Sequence, residues 1–149
     1  MRRFVAAVAI VAVAGMVPAY GAGGSKLFTT LSGAEEVDAE GNPNKGDPDG
    51  SGTAALRLNQ GRGEICYTLR WENIEPPHAA HIHRAPAGAN GPVVVPLFGP
   101  PSIFPVSNQG CVPAQPALIK EIRKNPMAFY VNVHNEPFPG GALRGQLGD

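Results

Sequence analysis

Charge, aromatic side chains, cysteine and long apolar runs are all scarce in this chain, and each scarcity closes off a class of protein. Charged residues are 16% of the 149 and sum to a formal net charge of +0. No basic run follows the first residues, so a surface built for nucleic acid is excluded. The one long apolar run, Phe4 to Val17, falls short of the roughly 20 residues that span a bilayer as a helix. Aromatic residues are 7%, against 16 Pro and 19 Gly, a balance that suits many short strands joined by turns better than helices. No repeat, coiled coil or second domain is visible.

The apolar run instead reads as an export signal. Arg2 and Arg3 supply the positive end, Pro18 breaks the run, and Ala19-Tyr20-Gly21-Ala22-Gly23 offers small residues for a signal peptidase. Residues 1–22 are assigned to the signal and 23–149 to one domain, with cleavage after Ala19, Gly21 or Ala22 equally arguable and an uncleaved anchor the alternative. No Cys stands at the junction, which argues against a lipid-modified terminus. The expected location is periplasmic or extracellular, with no membrane association after cleavage. Without Arg2 and Arg3 the chain carries 10 Lys+Arg against 12 Asp+Glu. In an oxidising compartment Cys66 and Cys111 most simply form one disulfide, worth roughly 4 kcal/mol on the chain-entropy estimate. Two free thiols, or one as a metal ligand, are the alternatives.

Alternation of apolar and polar residues then marks the strands. Lys26 to Ser32 is a first strand, and 35–50 a polar loop in which Glu35, Glu36, Asp38 and Glu40 are expected to be solvated. Thr53 to Asn59 and Glu64 to Trp71 alternate around a Gly61-Arg62-Gly63 turn, with Ile65, Tyr67, Leu69 and Trp71 on the core face. A His-rich strand follows Pro76-Pro77, then a strand from Pro92 to Phe98. Residues 99–113 read as a Pro/Gly loop. Leu118, Ile119 and Ile122 at helical spacing, with Pro116 in the first turn, predict a short helix over 116–124. Met127 to Asn135 returns to strand with Met127, Phe129, Val131 and Val133 inward, and Ala142 to Leu147 is the last. The expected fold is all-β: an antiparallel barrel or sandwich of about seven to eight strands with one short helix.

The four histidines concentrate the chemistry. Three lie in Pro77-His78-Ala79-Ala80-His81-Ile82-His83 and the fourth in Val131-Asn132-Val133-His134-Asn135. Residues two apart on a strand share a face, so His81 and His83 point together while Ile82 enters the core. His134 and Asn132 likewise oppose Val131 and Val133. If the two strands are neighbours, His81, His83 and His134 meet on the outer wall under the long loops. They form a candidate metal site with Asn132 beside it as a supporting residue. Three neutral imidazoles suit copper or zinc, and the Irving–Williams order favours copper. The plainer alternative is that His81 and His83 hydrogen-bond loop carbonyls on the barrel surface.

Several stretches together resemble a CHRD domain, the module described in chordin and found in exported microbial proteins. They are Leu31-Ser32-Gly33-Ala34-Glu35-Glu36-Val37, Ala80-His81-Ile82-His83, and Gly88-Ala89-Asn90-Gly91-Pro92-Val93-Val94. The late ones are Tyr130-Val131-Asn132-Val133-His134, Phe138-Pro139-Gly140-Gly141 and Arg144-Gly145-Gln146-Leu147. The resemblance spans 26–148, departs from the family at Val37-Asp38 and in the added cysteine pair, and implies an immunoglobulin-like β-barrel. A weaker likeness is to Cu,Zn superoxide dismutases, whose copper-site run His78-Ala79-Ala80-His81-Ile82-His83 with Val133-His134 is similar to. It implies His81, His83 and His134 as copper ligands and His78 as a structural histidine holding the loop. Residues 84–133 contain no His, so the bridging and zinc-binding histidines of that family have no counterpart, and Arg144 does not align with its substrate-guiding arginine.

Other chemistries find no support. Asp47-Pro48-Asp49-Gly50-Ser51-Gly52 lacks calcium-loop ligands at Lys45 and Leu56. Cys111 has no His or Met at blue-copper spacing, and Ser102 and Ser107 stand in no nucleophile elbow. The function expected is an exported domain binding copper, or zinc, with superoxide-dismutase-like redox chemistry as one use. The alternative is a non-catalytic extracellular module that holds a protein or matrix partner through its 35–50 or 99–113 loops.

Overall fold

A computed structural model describes residues 24–101 and 104–148, so the expected export signal lies outside the described residues. Eight strands form one antiparallel sheet: β1 (Ser25–Ser32), β2 (Ser51–Asn59), β3 (Glu64–Glu72), β4 (Ala79–Arg84), β5 (Val93–Phe98), β6 (Gln109–Pro113), β7 (Phe129–His134) and β8 (Leu143–Gln146). Their order is β5-β4-β7-β8-β1-β2-β3-β6. The sheet curls until β5 approaches β6, giving a nearly closed barrel. Among the described residues no helix is long and apolar enough to cross a membrane.

The inward faces follow the two-residue alternation. Ala54, Leu56 and Leu58 of β2, Ile65, Tyr67 and Leu69 of β3, and Phe129, Val131 and Val133 of β7 enter the core. Phe98 of β5 meets Tyr67 and Trp71 across the barrel, with ring centroids 6.5 and 6.4 Å apart. The helix α1 (Pro116–Lys124) occupies its expected residues and buries Ile119 and Ile122. Pro116 suits the first turn, where its missing N–H costs nothing, and Arg123 and Lys124 face the negative end of the helix dipole.

Two local expectations fail for identifiable reasons. Gln109–Pro113 is a strand, not loop: it pairs β3 with Cys66 opposite Cys111. Only Val112 of its five residues is buried, so no apolar alternation marks it. The Cys66–Cys111 disulfide ties the two strands together. Met127 is 61% exposed, because Pro126–Ala128 forms a 3₁₀ turn and the strand begins only at Phe129.

Candidate metal centre

Strands β4 and β7 are neighbours, and their register sets the site. His81 lies opposite Asn132, His83 opposite Tyr130, and Ala79 opposite His134. Ala80 and Ile82 enter the core together with Val131 and Val133, which leaves His81, His83, Tyr130, Asn132 and His134 on the outer face. Arg144 and Gln146 of β8 extend that face by one more strand. It is not a surface. Loops cover it, so that every residue of β7 and β8 is buried. His81 and His134 are 6% and 8% exposed, and His83 is half-buried.

Each imidazole is held from behind by a carbonyl from a different loop. His81 Nε2 donates to Pro100 O at 2.7 Å, His83 Nδ1 to Gly91 O at 2.9 Å, and His134 Nδ1 to Pro139 O at 3.0 Å. A carbonyl oxygen only accepts, so these bonds fix the tautomers. The remaining nitrogens, His81 Nδ1, His83 Nε2 and His134 Nε2, therefore carry lone pairs. The three residues each offer a ligand atom, all within 4.8 Å of one another. Bonds of about 2.1 Å to one metal limit such separations to roughly 4.2 Å, a closure of well under an ångström. The residues fit the ion that the chain's resemblance implies. Loop hydrogen bonding and metal ligation, alternatives in the sequence, are compatible because each uses a different nitrogen.

The hydrogens of this cluster do not add up without a cation. His81 Nδ1 and His134 Nε2 stand 3.1 Å apart. Pro100 O, the two rings and Pro139 O thus make a chain of three contacts, and two neutral imidazoles bring only two N–H groups. Whichever tautomers are drawn, one contact joins two acceptors. A proton shared by the two rings or a bound metal ion would fill it. Burial opposes the proton: it pushes all three imidazoles down, His134 to about 4, with the neighbouring His81 adding to the effect there. His83 Nε2, meanwhile, is buried with no hydrogen-bond partner among the described residues.

A second layer supports the three rings. His83 stacks on Tyr130 at 4.8 Å and 11°, and the Arg144 guanidinium lies 3.6 Å from the centre of the same tyrosine ring. Arg144, 1% exposed, donates to Asn90 Oδ1, Pro86 O and Ala89 O at 3.3, 3.2 and 2.7 Å. It thereby binds the 85–92 loop that carries Gly91 to the sheet. Asn132 Nδ2 donates to Glu36 Oε2. Glu36 is 3% exposed, not solvated as its acidic neighbours suggested. Burial pushes its carboxyl up, against the lowering pull of Arg144. His78 is exposed and is not one of the three clustered rings, though its charge acts on His81 and His134. Its backbone N–H donates to His134 O at 2.9 Å.

Glu36, Tyr130 and Arg144 were not singled out as site residues from the sequence. Each lies in one of the family-like runs, at Leu31–Val37, Tyr130–His134 and Arg144–Leu147, and those runs were the available signal. A family model described as CHRD domain matches residues 27–147. No curated protein matches the chain, and neither does a solved structure.

Proposed function

The chain belongs to the CHRD domain family, and from that premise we propose that it is an exported protein that binds one copper or zinc ion through His81, His83 and His134. The observation that carries the reading is the hydrogen deficit: His81 Nδ1 and His134 Nε2 stand 3.1 Å apart with no hydrogen to share, beside His83, in rings whose pKa burial lowers. Metal-binding histidines are commonly fixed by a carbonyl on the far nitrogen, and all three are so fixed here. The disulfide and the leading Arg2-Arg3 and apolar run support export.

Copper would supply one-electron chemistry at this position and zinc a Lewis acid. The protein's part is to keep the imidazoles neutral, fix their orientation and cover the site from bulk water. Three protein ligands leave a coordination position open, as catalytic centres do and closed structural ones do not. The dinuclear arrangement of superoxide dismutases is outside this reading, since residues 84–133 carry no histidine. Metal sequestration or single-ion chemistry remains.

Elemental analysis tests the proposal. The protein is purified without chelator from its native export compartment, beside a His81→Ala/His83→Ala/His134→Ala variant. About one copper or zinc per chain, missing from the folded variant, is the expected result. A wild type that carries no metal and takes none up on titration would sink the proposal.

A further inference from the structure

Asn132 carries an acceptor that no group among the described residues uses. Its side chain is 1% exposed, and its Nδ2 faces the Glu36 carboxylate. A carboxylate accepts hydrogen bonds, so the NH₂ branch belongs on that side. The Oδ1 branch is thereby directed away from Glu36, and it is buried with no hydrogen-bond partner among the described residues. Buried amide oxygens are rarely left unpaired unless something else is meant to meet them. This oxygen sits on the metal face: His81 is its residue's cross-strand partner, and His134 is two residues along the same strand.

The orientation is built, not incidental. Val37 N donates to the other carboxylate oxygen of Glu36 at 3.3 Å. Gly141, at φ 150°, packs against the pair, and a Cβ there would fall on the Glu36 carboxylate and the Asn132 amide. Among the described residues Glu36 makes no ion pair, so the fold buries a carboxyl group to hold one amide in one orientation.

We propose that Glu36 and Asn132 are positioning residues that hold a water-sized, hydrogen-bond-donating ligand in the open position beside the three imidazoles. This rests on the metal reading of the same face. Three buried atoms on that face have no partner among the described residues, His83 Nε2, Asn132 Oδ1 and Gln146 Oε1, and the first two flank the ion: His83 Nε2 offers it a lone pair, and Asn132 Oδ1 needs a hydrogen. The ion would take the His83 lone pair, and a water held beside it would give one hydrogen to Asn132 Oδ1. The resident ligand is therefore a small protic molecule, and the same geometry selects any substrate that carries a hydrogen on its ligating atom.

Electron spin echo modulation of the chelator-treated protein, loaded with one equivalent of copper(II) in deuterated water, tests this. Wild type should show imidazole nitrogens together with strong deuterium modulation from a bound water. Glu36→Gln keeps an amide hydrogen bond to Asn132 and should retain that signal. Glu36→Gln/Asn132→Leu leaves no buried charge unpaired, and should lose the deuterium signal with the nitrogen pattern intact. Asn132→Ser serves in its place if the double variant does not fold. Imidazole nitrogens without deuterium modulation in the wild type, or a signal unchanged in the Asn132 variants, would overturn the positioning role and leave the metal site standing. A wild-type spectrum lacking imidazole nitrogens would overturn both.

Discussion

Acid should destabilise the metal-free protein through its histidine cluster, and His134 sets the scale. Burial depresses its pKa to about 4 from an ordinary 6.5. Between those values the unfolded chain binds a proton that the folded chain refuses. The stability it contributes is thus complete above pH 6.5 and is lost as the pH falls toward 4. At about 1.4 kcal/mol per unit, that gap amounts to roughly 3 kcal/mol. Glu36 acts in the opposite sense, because its raised pKa makes the folded state the better proton binder. The assay is therefore a comparison: urea unfolding of chelator-treated wild type and His134→Gln at pH 7 and pH 4, in which Glu36 cancels. Wild type should lose about 3 kcal/mol more than the variant over that interval. Curves that fall in parallel would refute the claim that His134 is held neutral by burial.

Other consequences are as direct. Replacing His83 by Ala should cut copper(II) affinity by more than about 100-fold, the upper range for losing a mere supporting partner, with the circular dichroism of the fold unchanged. The residue separation of 45 between Cys66 and Cys111 predicts that the double Ala variant loses about 4 kcal/mol in urea unfolding. That variant should keep its metal, because β3 and β6 lie away from the β4–β7 face. Gly141→Ala places a methyl group on the Glu36–Asn132 pair at a φ of 150°. It should cost about 2 kcal/mol or more, measurable as a fall in the thermal midpoint, whereas Gly140→Ala next to it meets nothing within 4 Å and should be tolerated.

What the chain discloses before folding is its periodicity. The alternation in 64–71 and 129–134 assigns Ile65 to the core and His134 to the other face without any contact being known. The helix at 116–124 is equally plain, since Ile119 and Ile122 fall on one side behind a proline. Periodicity says nothing about what lies over an outward face. The burial of His81 and His134 comes from three loops meeting there, a long-range fact that no local window carries. Glu36 looked solvated for the same reason: its neighbours Glu35 and Glu40 are exposed, and only the approach of β7 distinguishes it. Arg144 is a lone cation whose partners, Pro86 O and Ala89 O, lie more than 50 residues away. The strand at 109–113 stayed hidden because an edge strand with one buried residue leaves no pattern to read.

The central claim is that three fixed lone pairs on one buried sheet face bind one metal ion. Calorimetric titration of the chelator-treated mature protein with copper(II), and separately with zinc(II), at neutral pH tests it most directly. The account predicts saturation at one equivalent per chain and loss of that binding in the folded His81→Ala/His83→Ala/His134→Ala variant. Binding of equal affinity and stoichiometry in the variant, or none in the wild type, would contradict it.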